Sequence, residues 1–279
     1  MSLRRYGMAA AAALLCSTWP HLAWAMPHDW GIDFQPPASS VMQQIEQFHQ
    51  LLLGIIVAIS LFVILLLAWI MLRYNARANP TPSRVSHNPV LEVVWTVVPV
   101  VILVLIAIPS FRLLYVEADV PPNPDVFVRA IGHQWYWSYE FPKDGDFQFN
   151  SNGLSVPGSD AAADKAHEPR LLGVDNPLEV PVNKVIAVET TGADVIHSWS
   201  LPQMGVKLDA IPGRLNLTWF KATQTGTFYG QCSQLCGIRH AFMPIEVKVV
   251  SDSDYKNWLA SMKKKFAGLT DSDARLAAN

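Results

Sequence analysis

The chain has 279 residues and a formal net charge of −2, which excludes a globally basic protein, and we expect no nucleic-acid partner. Hydrophobic residues make up 51% and charged residues only 16% of the sequence, so it is more apolar than an average soluble domain. The apolar excess lies in the first 111 residues. This uneven distribution indicates membrane segments rather than a larger soluble core.

The N-terminus has the three parts of a secretory signal peptide. Arg4 and Arg5 form a positive region, Gly7 to Leu15 form a short apolar region, and Ala23 to Ala25 fit a small-residue cleavage site. A short membrane anchor is the alternative, but so few apolar residues do not span a bilayer. We therefore predict that residues 1–25 are a cleaved signal peptide.

Two charge-free runs, residues 51–72 and 93–111, are each long enough to cross about 30 Å of hydrocarbon. The loop between them carries three arginines and no acid, whereas the segment 26–50 carries three acids and no lysine or arginine. By the positive-inside rule the loop is cytoplasmic. We predict a multi-pass protein of a bacterial inner membrane, with two transmembrane helices within residues 51–115. The segment 26–50 and the C-terminal part then lie in the periplasm.

The exported part, residues 116–252, alternates short runs rich in Val, Ile, Thr and aromatic residues with turn signals. This pattern is typical of a β-sandwich or Greek-key barrel. Residues 125–141 look like one continuous strand, and residues 150–169 look like a surface insertion. In the segment 253–279, apolar residues at helical spacing follow Ser253, which predicts a terminal helix capped by that serine, followed by a tail.

The stretch GQCSQLCGIRHAFMP (residues 230–244) holds two cysteines, a histidine and a methionine. After export Cys232 and Cys236 lie in an oxidising compartment, where a disulfide is one interpretation. However, His240 and Met243 follow on the same short loop, and His197 lies on an earlier predicted strand. One thiolate, two imidazoles and a thioether are the ligands of blue copper sites. Zinc, the competing metal, gives the methionine no role.

A single blue copper site leaves one of the two thiols without a role. A thiolate sulfur can bridge two metals, so Cys232 and Cys236 together can hold two copper ions close to each other. Each copper then receives one histidine and one weak ligand, which Met243 supplies on one side. The backbone carbonyl of Gln234, within the loop, can supply the weak ligand of the other copper.

The HSW run and the loop G-Q-C-S-x-L-C-G-x-x-H-x-x-M-P resemble the CuA site of cytochrome c oxidase subunit II. The resemblance covers nearly the whole mature chain and implies an all-β, cupredoxin-like Greek-key barrel after a two-helix transmembrane hairpin. It implies a dinuclear CuA centre with six ligands: His197, Cys232, Gln234 (through its carbonyl), Cys236, His240 and Met243. It also implies electron transfer from cytochrome c to haem in catalytic subunit I, which reduces O₂ to water in a proton-translocating oxidase. Subunit III is a further expected partner.

One position departs from the family pattern, which usually has glutamate where this chain has Gln234. In the family that carboxylate also helps to bind magnesium at the interface with the catalytic subunit. An amide oxygen is a weaker ligand for a hard cation than a carboxylate. We therefore expect the copper contact to persist and the magnesium site to be weakened or lost.

The resemblance assigns roles to further residues. In the family, the position of Trp135 is where electrons enter, and the position of Glu92 is the mouth of a proton path. From sequence alone, a carboxyl at a membrane helix end equally reaches the lipid headgroups. Asp209 and Arg214 face the catalytic subunit or form a turn-locking pair. Five acids are candidates for docking a lysine-rich cytochrome c: Glu140, Asp144, Asp146, Asp175 and Asp194.

Three other functions compete with this interpretation. The copper subunit of a nitric oxide reductase differs by its partner chain, which this sequence does not encode. Quinol-oxidising relatives lack the copper cysteines that are present here. A membrane-tethered copper carrier or disulfide protein belongs to a different class, and a carrier needs an open site rather than a full ligand set. No C-x-x-C-H motif is present, so a fused cytochrome donor is excluded.

Overall fold

The computed structural model describes residues 30–81 and 83–266. The predicted signal peptide and residues 267–279 of the predicted tail lie outside the described residues. In chain order, two long helices are followed by ten β-strands, with a short helix between the third and fourth strand, and then by a C-terminal helix.

The two long helices match the predicted membrane spans. Helix α1 spans Ser40–Arg73 and helix α2 spans Pro89–Ala118. Their most apolar windows have mean hydropathies of 3.2 and 2.7, and none of either window is buried within the chain. Both helices are long and apolar enough to cross a membrane. The predicted spans 51–72 and 93–111 lie inside them, and each helix extends beyond its span at both ends.

The first turn of α1 is attached to the β-domain. The Ser39 hydroxyl accepts the amide of Met42 (3.0 Å) and donates to the carbonyl of Met204 (2.7 Å). It therefore caps the helix and fixes its start to the β-domain at the same time. Val41 and Met42 are buried there. Helix α1 thus begins within the predicted N-terminal segment 26–50.

Ten strands form the β-domain. Their bounds are β1 Val126–His133, β2 Tyr136–Phe141, β3 Phe147–Ser151, β4 Leu178–Pro181, β5 Ile186–Gly192, β6 His197–Leu201, β7 Val206–Ala210, β8 Asn216–Phe220, β9 Gly226–Gln231 and β10 Pro244–Val250. Helix α3 (Ala161–Ala166) lies in the predicted insertion between β3 and β4.

The strands form a five-stranded sheet in the order β3-β2-β1-β5-β8, a three-stranded sheet β4-β10-β9 and a two-stranded sheet β6-β7. The pairs β1–β5 and β4–β10 are parallel, and the other pairs are antiparallel. One continuous core joins all three sheets; it includes Val128, Trp137, Leu178, Trp199 and Val247. The predicted class, a cupredoxin-like β-barrel after a helical hairpin, is confirmed.

The prediction of one continuous strand over residues 125–141 is wrong. His133 pairs with Tyr136 across a β1–β2 hairpin, so Gln134 and Trp135 form a two-residue turn. In a single strand, Trp135 and Trp137 would lie on the same face. Because Trp135 lies in the turn, it does not share a strand face with Trp137. The turn places Trp135 at the end of the barrel, where its ring reaches a neighbouring loop.

The predicted C-terminal helix is confirmed as α4, Asp252–Phe266. Its cap differs from the prediction, because the hydroxyl of Ser251, not of Ser253, accepts the amide of Asp254 (3.2 Å). Trp258 packs edge-on against Phe149, with ring centroids 6.0 Å apart. The helix thereby covers one end of the core, away from the β1–β2 turn.

Candidate metal centre

Two chain segments bring the predicted ligands together. His197 is the first residue of β6, and the metal loop, Cys232–Met243, joins β9 to β10. Gln231 and Pro244 are paired across the β9–β10 ladder, so the loop is closed at its base. The metal loop is also tied to β6 by the backbone, since the amide of Ser233 donates to the carbonyl of Ser198 (3.0 Å).

One half of the centre, which we call the anchored half, consists of His197, Cys232 and the carbonyl of Gln234. The Cys232 sulfur lies 4.0 Å from His197 Nδ1 and 3.3 Å from the Gln234 carbonyl oxygen. His197 and Cys232 are both buried. The anchored half thus presents one sulfur, one imidazole nitrogen and one carbonyl oxygen to the same space.

The other half, which we call the loop half, consists of Cys236, His240 and Met243. The Cys236 sulfur lies 3.4 Å from His240 Nδ1 and 3.5 Å from the Met243 sulfur. It lies 3.9 Å from the sulfur of Cys232 in the anchored half. The six predicted ligand groups therefore meet as two similar sets of three around a pair of sulfurs.

The two cysteines are free thiols in this structure, not a disulfide. Their sulfurs are 3.9 Å apart, whereas a disulfide bond is about 2.05 Å long. The ligand atoms of His197, Cys232 and Cys236 all lie within 4.8 Å of one another. Sulfur and imidazole donors in this arrangement fit copper better than a hard cation such as magnesium.

His197 is held by a carboxylate on its far side. Asp194 Oδ1 lies 2.8 Å from His197 Nε2, so this nitrogen carries the ring proton and Nδ1 is left to face the sulfur. The same carboxylate accepts the amides of Val195 (2.6 Å) and Gln134 (2.7 Å). Gly132 leaves room for the ring, since a Cβ there would lie 2.7 Å from it.

Partial burial raises the pKa of Asp194, but the bonds from His197 and the two amides outweigh it and lower the pKa below its usual value. From sequence alone, Asp194 is only one of the candidate docking acids. Its spacing three residues before a ligand histidine was a signal for the orienting role, because metal-bound histidines commonly bond a carboxylate.

The pKa values of the two thiols are shifted in opposite directions. Burial disfavours ionisation of Cys232, but bonds from His197 and from backbone amides lower its pKa below the usual value. Burial, and then the neighbouring charge of Cys232, raise the pKa of Cys236 to about 12. Since metals bind the thiolate, binding must release the proton of Cys236.

The loop half is supported by Trp137, which the sequence motif does not assign to the site. The buried indole of Trp137 donates to the carbonyl of Met243 (3.3 Å), and its ring meets that of His197 edge-on, with centroids 6.0 Å apart. Trp137 therefore contacts both halves. His240, in contrast, lies on a single 3-10 turn, His240–Phe242, and is partly exposed.

Trp135 contacts the metal loop directly. Its indole N–H donates to the carbonyl of Cys236 (3.3 Å), which also accepts the side-chain amide of Gln134 (2.8 Å). Gly237 has φ 125°, and a Cβ there would lie 2.9 Å from the Trp135 ring. The half-buried indole thus lies between solvent and a ligand cysteine.

The structure does not gather the five candidate docking acids into one patch. Glu140 is paired with Arg129 (2.7 Å), and Asp175 is bound by the amide and side chain of Asn152 (2.8 and 2.9 Å). Their side chains are thus engaged within the domain, as is that of Asp194.

Asp144 and Asp146 follow the far end of β2, which begins next to Trp135. Six residues of strand separate the two ends by roughly 20 Å. These two acids therefore lie at the opposite end of the hairpin from the metal loop, beside the C-terminal helix.

The remaining predicted residues lie away from the metal centre. Glu92 is exposed in the first turn of α2. Asp209 and Arg214 are exposed near the β7–β8 connection, and no ion pair joins them among the described side chains. A turn-locking pair is thus not formed, and their surfaces are free for a partner.

Comparisons with known proteins agree with this geometry. A profile of the cytochrome c oxidase subunit II periplasmic domain matches residues 126–250, and a profile of its transmembrane domain matches residues 27–113. A probable cytochrome c oxidase subunit 2 from Rickettsia bellii is 45% identical over 253 residues, covering 91% of each chain. The chain belongs to the cytochrome c oxidase subunit II family.

Other relatives carry the same name. Cytochrome c oxidase subunit 2 of Cereibacter sphaeroides is 44% identical over 246 residues, covering 84% of this chain and 80% of that protein. The crystal structure of the periplasmic domain of cytochrome oxidase subunit II from Bradyrhizobium japonicum is 58% identical, with a TM-score of 0.49, over 53% of this chain and 100% of that one. As a member of this copper-containing family, the chain is a membrane-bound oxidase subunit with a C-terminal periplasmic domain.

Proposed function

We propose that this subunit II binds two copper ions as a CuA centre, accepts electrons from cytochrome c and passes them to haem in the catalytic subunit, which reduces O₂ to water. The observation that carries the proposal is the pair of free thiols 3.9 Å apart, each with its own histidine nitrogen and its own weak donor. A mononuclear site of one thiolate, two imidazoles and a thioether leaves two of these six groups without a role, one thiol and the Gln234 carbonyl.

The side chains of Cys232, Cys236, His197, His240 and Met243 and the Gln234 carbonyl would hold the copper ions. When bound, these ions would supply a centre that gains and loses one electron with little change in its bonds. The chain's own residues keep this arrangement fixed. Asp194 orients His197, and Trp137 holds the carbonyl of Met243, while a cluster of buried apolar side chains packs behind them. Ligands held by hydrogen bonds and packing move little when the charge of the centre changes.

Trp135 is the residue through which we propose that electrons enter. It is partly exposed, and its N–H bond to the Cys236 carbonyl gives a short route from the surface to a copper ligand. Electron transfer requires a short distance between the electron donor and the metal centre. The Trp135 ring fills the space between the centre and the surface that the donor protein contacts.

The test replaces Trp135 with leucine in the intact oxidase complex. We expect the rate of electron transfer from reduced cytochrome c to fall on the order of 10²-fold, as for other losses of contact between reacting groups. The copper spectrum stays unchanged, because Trp135 is not a ligand. Trp30→Leu, which removes a 96% exposed indole elsewhere, is the matched control. An unchanged transfer rate in Trp135→Leu would overturn the assignment.

The membrane part has proposed roles as well. The arginine-bearing loop faces the cytoplasm of a bacterium, and the helices pack against catalytic subunit I, with subunit III as a further partner. Glu92, exposed at the cytoplasmic end of α2, is proposed as the mouth of a proton path. Unaltered proton uptake in Glu92→Gln would favour a simple contact with lipid headgroups.

Asp209 and Arg214 are proposed to contact the catalytic subunit, since both are exposed and unpaired with each other. At Gln234 only the backbone carbonyl points to the centre, and the residue is exposed. We do not propose a magnesium ion at its side chain, because a neutral amide is a poor ligand for this cation.

A further inference from the structure

We propose that Arg239 binds a carboxylate side chain on the contact face of the electron-donor protein and so selects a donor with an acid at the centre of that face. The inference rests on the proposed function, in which electrons enter through Trp135. It concerns a different contact from the one expected between the acids of this subunit and a lysine-rich face.

Arg239 lies in the metal loop, immediately before the ligand His240. It is exposed, and its guanidinium carbon lies 5.9 Å from the centroid of the Trp135 ring. No carboxylate of residues 30–81 or 83–266 forms an ion pair with it. A guanidinium has five N–H donors in a planar fork, so Arg239 has its full capacity for a bidentate carboxylate.

The acids near Trp135 form no ion pair with Arg239. Asp194 accepts three hydrogen bonds, from His197 and from two amides, and Asp175 accepts two from Asn152. Both carboxylates are thus already satisfied inside the domain. A donor that approaches the Trp135 ring therefore meets a guanidinium that forms no ion pair with a carboxylate of residues 30–81 or 83–266.

A cleft of about 490 Å³ lies beside the ring and opens to solvent. It is lined by Gln134, Trp135, Asn152, Ser155, Arg239 and Phe242. The side chains of Gln134 and Asn152 are engaged with Cys236 and Asp175. The guanidinium is therefore the cationic donor at this cleft, and an aspartate or glutamate side chain is the group that complements it.

The surface around Arg239 has the composition of a protein contact. Leu235 and Ile238, in the same loop, are 77% and 90% exposed. Apolar side chains around an exposed arginine and a tryptophan are typical of the centre of a docking site, where most of the binding energy is concentrated. The occupant is therefore a protein surface with one central acid, not a small anion.

The test uses the intact oxidase complex and two probe proteins of similar potential, an acidic cytochrome c with a carboxylate-rich contact face and a basic one with a lysine-rich face. In Arg239→Gln we expect the second-order rate constant with the acidic probe to fall about tenfold at low ionic strength, where charges are least screened. The basic probe reacts at an unchanged or higher rate. Arg239→Lys, which keeps the charge but not the fork, retains part of the rate with the acidic probe.

Lys256→Gln is the matched control, since it removes one exposed positive charge on the C-terminal helix, away from the metal loop. Copper content and spectrum are measured in every variant, so that damage to the centre is recognised. The proposal is overturned if Arg239→Gln slows the acidic probe no more than Lys256→Gln does. It is also overturned if both probes slow equally, which indicates contact with a group common to both, such as a haem propionate.

The same assay with Trp135→Leu separates the two proposals. If Trp135→Leu has no effect while Arg239→Gln slows only the acidic probe, the electron route is wrong and the docking site stands. If Trp135→Leu slows both probes and Arg239→Gln slows neither, the route stands and the docking site is wrong.

Discussion

The anchored half and the loop half of the metal centre offer nearly the same donor atoms but are supported differently. His197 is fully buried on a strand, and a carboxylate with two further amide bonds fixes its ring. His240 is partly exposed on a single 3-10 turn. The loop half instead depends on the bond between Trp137 and the Met243 carbonyl.

The difference indicates a division of roles. The anchored half is part of the barrel core, so its geometry follows from the fold. The loop half faces the surface on which Trp135 and Arg239 lie, so it is the side open to a partner. The comparison predicts that equivalent substitutions in the two halves have unequal consequences.

The largest effect tests whether the halves are one centre. In Cys232→Ser we expect complete loss of the mixed-valence electron spin resonance signal of an electron shared by two coppers, because a hydroxyl does not replace a bridging thiolate. Copper content falls below two per chain in the purified, copper-loaded protein. Cys236→Ser gives the same loss. A variant that keeps both coppers and the signal would mean that the two halves are not joined through their sulfurs.

The next effect compares the two histidines in copper-free protein. His197→Ala leaves a cavity in the core and removes a partner from Asp194, so we expect the thermal midpoint of the detergent-solubilised chain to fall by about 5–10 °C. His240→Ala, at a partly exposed turn, lowers it by less than about 2 °C. Differential scanning calorimetry without metal measures both. Equal losses in the two variants would contradict the distinction between an anchored and a surface half.

The smallest effect concerns the strand behind the loop half. Glu246, three residues after Met243, is 1% exposed; its Oε2 accepts the amide of Val174 (3.0 Å). Its Oε1 forms an ion pair with Lys248 Nζ (3.2 Å). Burial raises the pKa of Glu246 above its usual value, so the folded protein holds this proton more tightly than the unfolded chain does.

The contribution of Glu246 to stability therefore falls as pH rises through its folded-state pKa, since ionisation then disfavours the folded state. Glu246→Gln should raise the thermal midpoint by a few degrees at about pH 7, and this gain should disappear near pH 4, where the carboxyl is protonated. Asp146→Asn, at an exposed turn position that asparagine accommodates, is the control. A gain of the same size at both pH values would show that ionisation of Glu246 is not its cause.

Much of this site could be predicted from sequence, because its ligands are close along the chain. The metal loop supplies the side chains of four predicted ligands and the Gln234 carbonyl, and of the six predicted ligands only His197 comes from elsewhere. The two membrane helices could equally be predicted from sequence, because the length of each apolar run and its lack of charge identify a membrane span.

What could not be predicted depends on contacts between distant segments. The turn at Gln134 and Trp135 carries neither glycine nor proline, so the alternating aromatic pattern suggested an unbroken strand. The bond from the Gln134 amide to Asp194 could not be predicted, because it forms only when the β1–β2 turn meets the start of β6.

The ladder pair between Gln231 and Pro244 has a consequence for the order of assembly. It brings the two ends of the twelve-residue metal loop together through backbone pairing. The entropic cost of closing the loop is therefore offset by pairing in the sheet and not by metal binding. In small zinc domains the ion must organise the chain, and removing it unfolds them. Here folding can precede loading. Chelators should therefore remove copper from a barrel that stays folded and accepts the metal again.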